Sequence, residues 1–195
     1  MKTLGALGGA SVERAWKPSP RQVRAASEKT VPDLISPGLR VLFSGINPSL
    51  YSAAVGHHFA RPGNRFWPAI HSAQFTPRLF SPFEDRSLLD LGYGITNIVD
   101  RASARADELS SDELIAGGLL LEDIILRHSP RVVAFLGITA YRAAFARPFA
   151  SVGPQPERIG GSRLWALPNP SGLNAHYRLE DLARIYGDLR KESES

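Results

Sequence analysis

The sequence predicts an α/β fold in which a parallel sheet carries helices on both faces. Three observations lead there: short apolar runs of strand length, helical stretches that alternate with them, and a length of 195 residues that suits one core. Arg40-Val41-Leu42-Phe43-Ser44-Gly45 is the first run, apolar enough to be covered on both sides as parallel strands are. Similar runs follow at Gly94 to Val99, at Arg131 to Gly137 and at Arg163 to Leu167 before Pro168, which makes four expected strands. Helices are expected over 64–74, 112–128, 139–146 and 179–190, and Ser110 with Glu113 has the spacing of a capping box before the second. Ligands of open α/β sheets bind beyond the carboxyl ends of the strands, so polar segments there are the places to look for chemistry. No internal repeat and no second-domain boundary follows residue 40.

Composition narrows the chemistry. The chain has no cysteine, which removes disulfides, thiolate zinc sites, iron–sulfur clusters and cysteine nucleophiles together. The net charge of +4 is uneven. Residues 1–40 carry the whole excess, and the remainder holds equal numbers of acidic and basic side chains. Residues 1–31 read as a basic, flexible leader, suited to touching phosphates nonspecifically or to solubility alone, and 32–195 as the folded domain. No apolar run approaches bilayer length and the N-terminus lacks a secretory pattern, so a cytoplasmic location without membrane contact is expected.

Two polar motifs stand at strand ends. Gly45-Ile46-Asn47-Pro48-Ser49 follows the first run; taken alone, Asn-Pro there is also an ordinary turn initiator. The next segment, Gly56-His57-His58-Phe59-Ala60-Arg61-Pro62-Gly63-Asn64-Arg65-Phe66-Trp67, mixes glycine, imidazole, aromatic and basic residues ahead of a helix. Phe66 and Trp67 suit its core, Asn64 its N-cap, and His57 and His58 could be surface histidines. Adjacent histidines without a nearby carboxylate do not have metal-ligand spacing, and no metal or cofactor is expected. The second motif, Leu167-Pro168-Asn169-Pro170-Ser171-Gly172-Leu173-Asn174-Ala175-His176, sets one large apolar side chain in a loop of small polar residues. Leu173 is either an exposed wedge or a residue folded back into the core.

Together the two loops make the chain resemble the mismatch-specific uracil-DNA and thymine-DNA glycosylase family of the uracil-DNA glycosylase superfamily. GINPS stands against that family's GINPG, NPSGLNA against its NPSGL-type motif, and GHHFARPGNRFW and GITNIVDR also fit, over roughly residues 32 to 190. The resemblance implies a three-layer α/β/α uracil-DNA glycosylase-like fold around a central four-stranded parallel sheet. It implies that Asn47 orients the water that attacks the sugar, that Ile46 and Phe59 offer backbone contacts to the departing base, and that Phe59 stacks on it. His58 and Ser52 complete the base pocket, Ser52 at the edge where a thymine methyl would pass: thymine-accepting relatives carry alanine there and uracil-preferring ones serine. Asn169, Ser171, Gly172, Leu173, Asn174 and His176 form the wedge and its DNA contacts. Ala175 stands where well-studied members carry a long basic residue, leaving Asn174 or His176 to compensate, and Ser49 replaces the family's glycine. Asp100 is the possible auxiliary carboxylate, or else an exposed partner of Arg101 or Arg105.

The expected activity is hydrolysis of uracil from duplex DNA, chiefly at G·U mispairs, by a monofunctional, monomeric enzyme that flips the base and leaves an abasic site. The matched segments contain no lysine, which argues against an imine-forming lyase step. A lesion-binding protein without turnover and a hydrolase of free nucleosides are the alternatives from other classes.

Overall fold

The computed structural model describes residues 17–194. Strands β1 (Val41–Gly45), β2 (Tyr93–Asn97), β3 (Val132–Leu136), β4 (Gly153–Ile159) and β5 (Ser162–Leu167) form one sheet in the order β2-β1-β3-β5-β4. The four expected strands are β1, β2, β3 and β5, and they are parallel. The sheet nevertheless has five strands, because β4 pairs antiparallel with β5 at one edge. Pro154 and Pro156 hide this strand in the sequence, since proline lacks the N–H of a ladder; an edge strand tolerates it where that position faces outward. β1 sends its chain to β2 on one side and lies against β3 on the other, which opens a crevice at the carboxyl end of β1.

Seven helices accompany the sheet among the described residues: α1 (Pro20–Arg24), α2 (Leu50–Val55), α3 (Phe66–Ser72), α4 (Ser87–Asp90), α5 (Ser111–His128), α6 (Ile138–Ala144) and α7 (Leu179–Glu194). The capping box at Ser110 and Glu113 is present in both directions. Asn64 caps the Phe66 N–H with its side chain, although Arg65 occupies the N-cap position. α2 is absent from the sequence reading because its six residues fill the short gap between two polar motifs, too short to show a helical period; Ser49 caps it by accepting the Ser52 N–H.

Residues 1–16 of the expected leader lie outside the described residues. Residues 17–31 are not a free arm here: they hold α1, and they bury Ala26 and Val31 against Ala53 and Ala102. These apolar residues are too few and too widely spaced to register as a helical period.

Successive strand residues face opposite layers. Val41 and Phe43 pack with Trp67, Ile70, Leu182 and Tyr186 beneath α3 and α7, whereas Leu42, Val133 and Phe135 pack with Leu121, Ile125 and Tyr141 beneath α5 and α6. The second layer depends on Gly117 and Gly118. A Cβ on Gly117 would run into the Ile98 carbonyl, and one on Gly118 would sit 2.6 Å from the Ala144 carbonyl. Alanine at 117 raises helix propensity by about 1 kcal/mol, but overpacking costs about 1 to 3 kcal/mol. The central net cost, about 1 kcal/mol, is therefore expected to lower the thermal unfolding midpoint of Gly117→Ala by about 2 to 4 °C, read by calorimetry. A raised midpoint would show that α5 can slide off the Ile98 carbonyl without loss.

Candidate active site

The pocket opens where β1, β2, β3 and β5 end, and the segments that follow those strands supply most of its wall. It encloses about 100 Å³. Sites for drug-sized ligands hold about 300 to 1,000 Å³, so this one suits a single flat ring. Its floor depends on Gly45 lacking a side chain: a Cβ there would lie 2.5 Å from Asn97 Oδ1 and 3.4 Å from Phe59 Cζ. Asn97, 7% exposed, comes in from the end of β2, opposite Gly45 in the strand register. Phe59 stacks on Phe66 with ring centroids 4.1 Å apart, so one face of its ring is braced by the core. Its backbone is left-handed, φ 54°, a conformation costing a non-glycine residue about 1 to 3 kcal/mol and typical of functional segments. The N–H groups of Ile46 and Phe59 meet no acceptor among the described residues, which leaves two donors at the pocket wall.

Asn47 is held in one orientation. Its Nδ2 donates to the Arg101 carbonyl and to Ser103 Oγ, both at 2.8 Å. A carbonyl only accepts, and Ser103 Oγ spends its own proton on the Arg105 carbonyl at 2.6 Å, so the amide cannot be turned over without losing both bonds. Asn47 Oδ1 is left without a donor among the described residues, in a residue that lines the pocket. An amide oxygen so placed can accept a proton of a water and aim its lone pair; it is not a strong base.

The pocket's far wall is similarly engaged. Ser52 Oγ accepts the Ala60 N–H at 3.0 Å and the Ser49 hydroxyl at 3.1 Å. Ser49 thus acts as a cap and a brace for Ser52, which accounts for a side chain where the family pattern has glycine. His58 is 2% exposed, not a surface histidine. Its Nε2 lies 3.0 Å from the Pro32 carbonyl and must carry the proton, leaving Nδ1 as an acceptor. Burial holds its pKa below the ordinary 6.5, so the ring is neutral, and its contribution to stability is lost as pH falls beneath 6.5. The buried Asp85 accepts the His58 N–H at 3.2 Å and stands 3.1 Å from His57 Nδ1.

The loop after β5 is tied down from outside. Arg65 Nη2 donates to the carbonyls of Ser171 (2.6 Å) and Asn174 (2.8 Å), Nη1 to that of Tyr177, and Nε to that of Pro170. Asn169 Oδ1 accepts the Ser171 N–H, and its carbonyl accepts Asn174 Nδ2, both at 2.9 Å. A Cβ at Gly172 would meet the Gly63 carbonyl at 2.6 Å, so the two loops touch there. On this frame Leu173 is 64% exposed and borders the pocket, which rules out its folding back into the core.

The expected site residues therefore divide. Ile46, Asn47, Ser52, His58, Phe59, Asn169, Ser171 and Leu173 gather around one cavity, while Asn174 and His176 line the adjoining groove. Asn174 spends its amide within the loop, accepting the His176 N–H with Oδ1, so it has little left for an opposite strand; His176 is exposed. Asp100 does not join the site. It is exposed and absent from the pocket wall, and neither expected arginine pairs with it, because Arg101 binds Glu113 and Arg105 binds Asp107. Sequence reasoning missed Asn97, Ser103 and Arg65. Asn97 sits at the end of an apolar run, a signal that was available; the other two act through contacts more than 50 residues away in sequence.

Fold and site together define an α/β protein with a pocket of single-ring size beyond the ends of its central strands. A family model described as the Uracil DNA glycosylase superfamily matches residues 32–190, and the chain belongs to that superfamily. Among solved structures it is similar to a candidate uracil DNA glycosylase from Methanosarcina acetivorans, solved in solution by NMR. The two are 17% identical with a TM-score of 0.55 over 86% of this chain and 99% of the other, a likeness of fold. No helix among the described residues is long and apolar enough to cross a membrane.

Arg65 supplies four side-chain bonds to backbone carbonyls, and an ammonium has neither the reach nor the planar fork to replace them. Arg65→Lys is expected to increase hydrogen exchange across residues 170–177 at least about tenfold, equivalent to about 1.4 kcal/mol of local stability. Unchanged exchange there would show that the loop holds itself.

Proposed function

We propose that the protein removes uracil from duplex DNA by hydrolysing the bond between the base and deoxyribose, leaving an abasic site. The observation that carries this reading is the Asn47 amide, pinned through Nδ2 so that Oδ1 is left for a water inside a pocket sized for one ring. Uracil flipped from the helix enters over the braced ring of Phe59, where stacking contributes about 1 to 3 kcal/mol. The water held by Asn47 attacks C1′, the C1′–N1 bond breaks, and the electron pair leaves with the base; the water's second proton passes to solvent, and the uracil anion takes up a proton after release. The free N–H groups of Ile46 and Phe59 and the Asn97 amide are placed to hydrogen-bond the uracil carbonyl oxygens as that charge develops. Removing one such donor from a dry site typically costs about 3 to 4 kcal/mol of transition-state stabilisation. A neutral His58 adds no cation to this wall.

In this reading G·U mispairs are the favoured substrate, because a wobble pair is easier to open. Leu173 fills the vacated stack, and His176 is an exposed side chain on that loop able to approach the opposite strand. The test of the activity is incubation with a duplex carrying one G·U pair followed by alkali. Strand breaks at the uracil are expected; stable binding without breaks would indicate a lesion-binding protein, and release of uracil from free deoxyuridine at a comparable rate would indicate a nucleoside hydrolase. Leu173→Ala should slow excision from duplex at least about tenfold, about 1.4 kcal/mol, and change excision from single strands little. Equal losses on both would remove the wedge role.

Ser52 gives the pocket a rigid edge, since its hydroxyl is committed to Ala60 and Ser49. A thymine methyl directed at that hydroxyl cannot be met by rotation, and a misfit of one methyl is worth about 1 to 3 kcal/mol, roughly 10- to 200-fold. The protein is therefore expected to prefer G·U over G·T. Ser52→Ala should narrow that ratio while costing about 1 to 3 kcal/mol of stability through the orphaned Ala60 N–H. A lowered stability with an unchanged ratio of single-turnover rates would leave Ser52 as a support for the loop alone.

A further inference from the structure

We infer that α1 and the residues flanking it form a second, docked surface for the DNA backbone beside the pocket mouth. The inference takes the identity of its partner from the glycosylase reading. Its starting point is where the uncompensated charge lies. Between residues 17 and 31 stand Lys17, Arg21, Arg24 and Lys29 against Glu28 alone. All four cations are exposed, and none has an ion pair or side-chain hydrogen bond among the described residues. Much of the body behaves differently: Arg40, Arg78, Arg101, Arg105, Arg147 and Arg163 are each paired with a carboxylate.

The second observation is position. Ser19 and Gln22 close a capping box that starts α1, and Ala26, fully buried, anchors the segment to α2 with Val31, Ala53 and Ala102. Val23 of α1 then lines a cleft with Ser49, Leu50, Tyr51, Arg61, Pro62 and Ala104. Three of these, Ser49, Arg61 and Ala104, also line the catalytic pocket. Arg61 is itself exposed and has no side-chain partner among the described residues, so it continues the positive rim from the pocket to α1.

A positive surface fixed at the rim of a pocket that receives a flipped base meets the phosphates on either side of that base. Backbone contacts of this kind carry no sequence information; they raise affinity, set register and make binding salt-dependent. Docking matters because a segment already held in place gives up less entropy on binding than a free arm. A merely solubilising leader would need no buried anchor.

The experiment compares two double variants with equal loss of charge: Arg21→Ala with Arg24→Ala, and Arg127→Ala with Arg131→Ala. The second pair is exposed and lies at the amino end of β3, opposite the pocket. Affinity for an undamaged duplex is measured across a salt series, with circular dichroism to confirm folding. Each lost phosphate contact reduces the slope of log K against log salt by about 0.9. The first variant is expected to lose about 1 to 2 units of slope and about tenfold in affinity at low salt, and the second to match the wild type. Equal slopes in all three proteins, or equal changes in both variants, would overturn the inference, as would a loss seen with anionic phospholipid vesicles and not with DNA. Because undamaged duplex is used, failure of the excision reading shows separately, as an absence of alkali-labile breaks in the wild type.

Discussion

The loop after β1 and the loop after β2 are joined rung by rung: Val99 N–H to the Ile46 carbonyl, Ser103 N–H to that of Pro48, Leu50 N–H to that of Ser103, and Asn47 Nδ2 to Arg101 and Ser103. This ladder continues the parallel pairing of the two strands past their ends. Everything at the site depends on it, since it sets the direction of the Asn47 amide, starts α2 at Ser49 and places Asn97 against Gly45. Breaking a rung would leave buried backbone groups unpaired, at about 1 to 3 kcal/mol each, so the loops have little freedom to settle elsewhere.

That rigidity suits a site whose groups have modest intrinsic reactivity. Among the described residues no carboxylate lines the pocket, and burial keeps His58 neutral. On the proposed reading, what remains is placement: an amide oxygen offered to a water, a ring braced for stacking, and free N–H groups at the pocket wall. Effects of placement and preorganised dipoles are large where water is excluded and collapse when geometry loosens. The strained backbone of Phe59, its brace on Phe66 and the Arg65 clamp on the opposite loop are consistent with a site that spends folding energy on geometry.

Much of this was legible in the sequence, for identifiable reasons. The four parallel strands are short and apolar, three of them ended by glycine or proline, and the two motif loops stand at the carboxyl ends of β1 and β5. The fifth strand was hidden by Pro154 and Pro156, and α2 by its shortness between two motifs. Asp100 looked relevant because it follows β2 closely, but the chain turns it to the surface while Asn97, three residues earlier, points inward. Arg65 and Ser103 act on backbone carbonyls and an amide far away in the chain, and no local pattern announces such contacts. The charge excess near the N-terminus was visible as composition; that Ala26 and Val31 dock part of it beside the pocket was not.

The central claim is that Asn47 aims the attacking water, and its most direct test is the single-turnover rate of uracil release from a G·U duplex by wild type and Asn47→Ala, with duplex affinity measured in parallel. The account predicts unchanged affinity and a loss of at least about a hundredfold in rate, about 2.7 kcal/mol of transition-state stabilisation. A variant that still released uracil at near the wild-type rate would contradict it, because the Asn47 amide would then not be the group that holds the water.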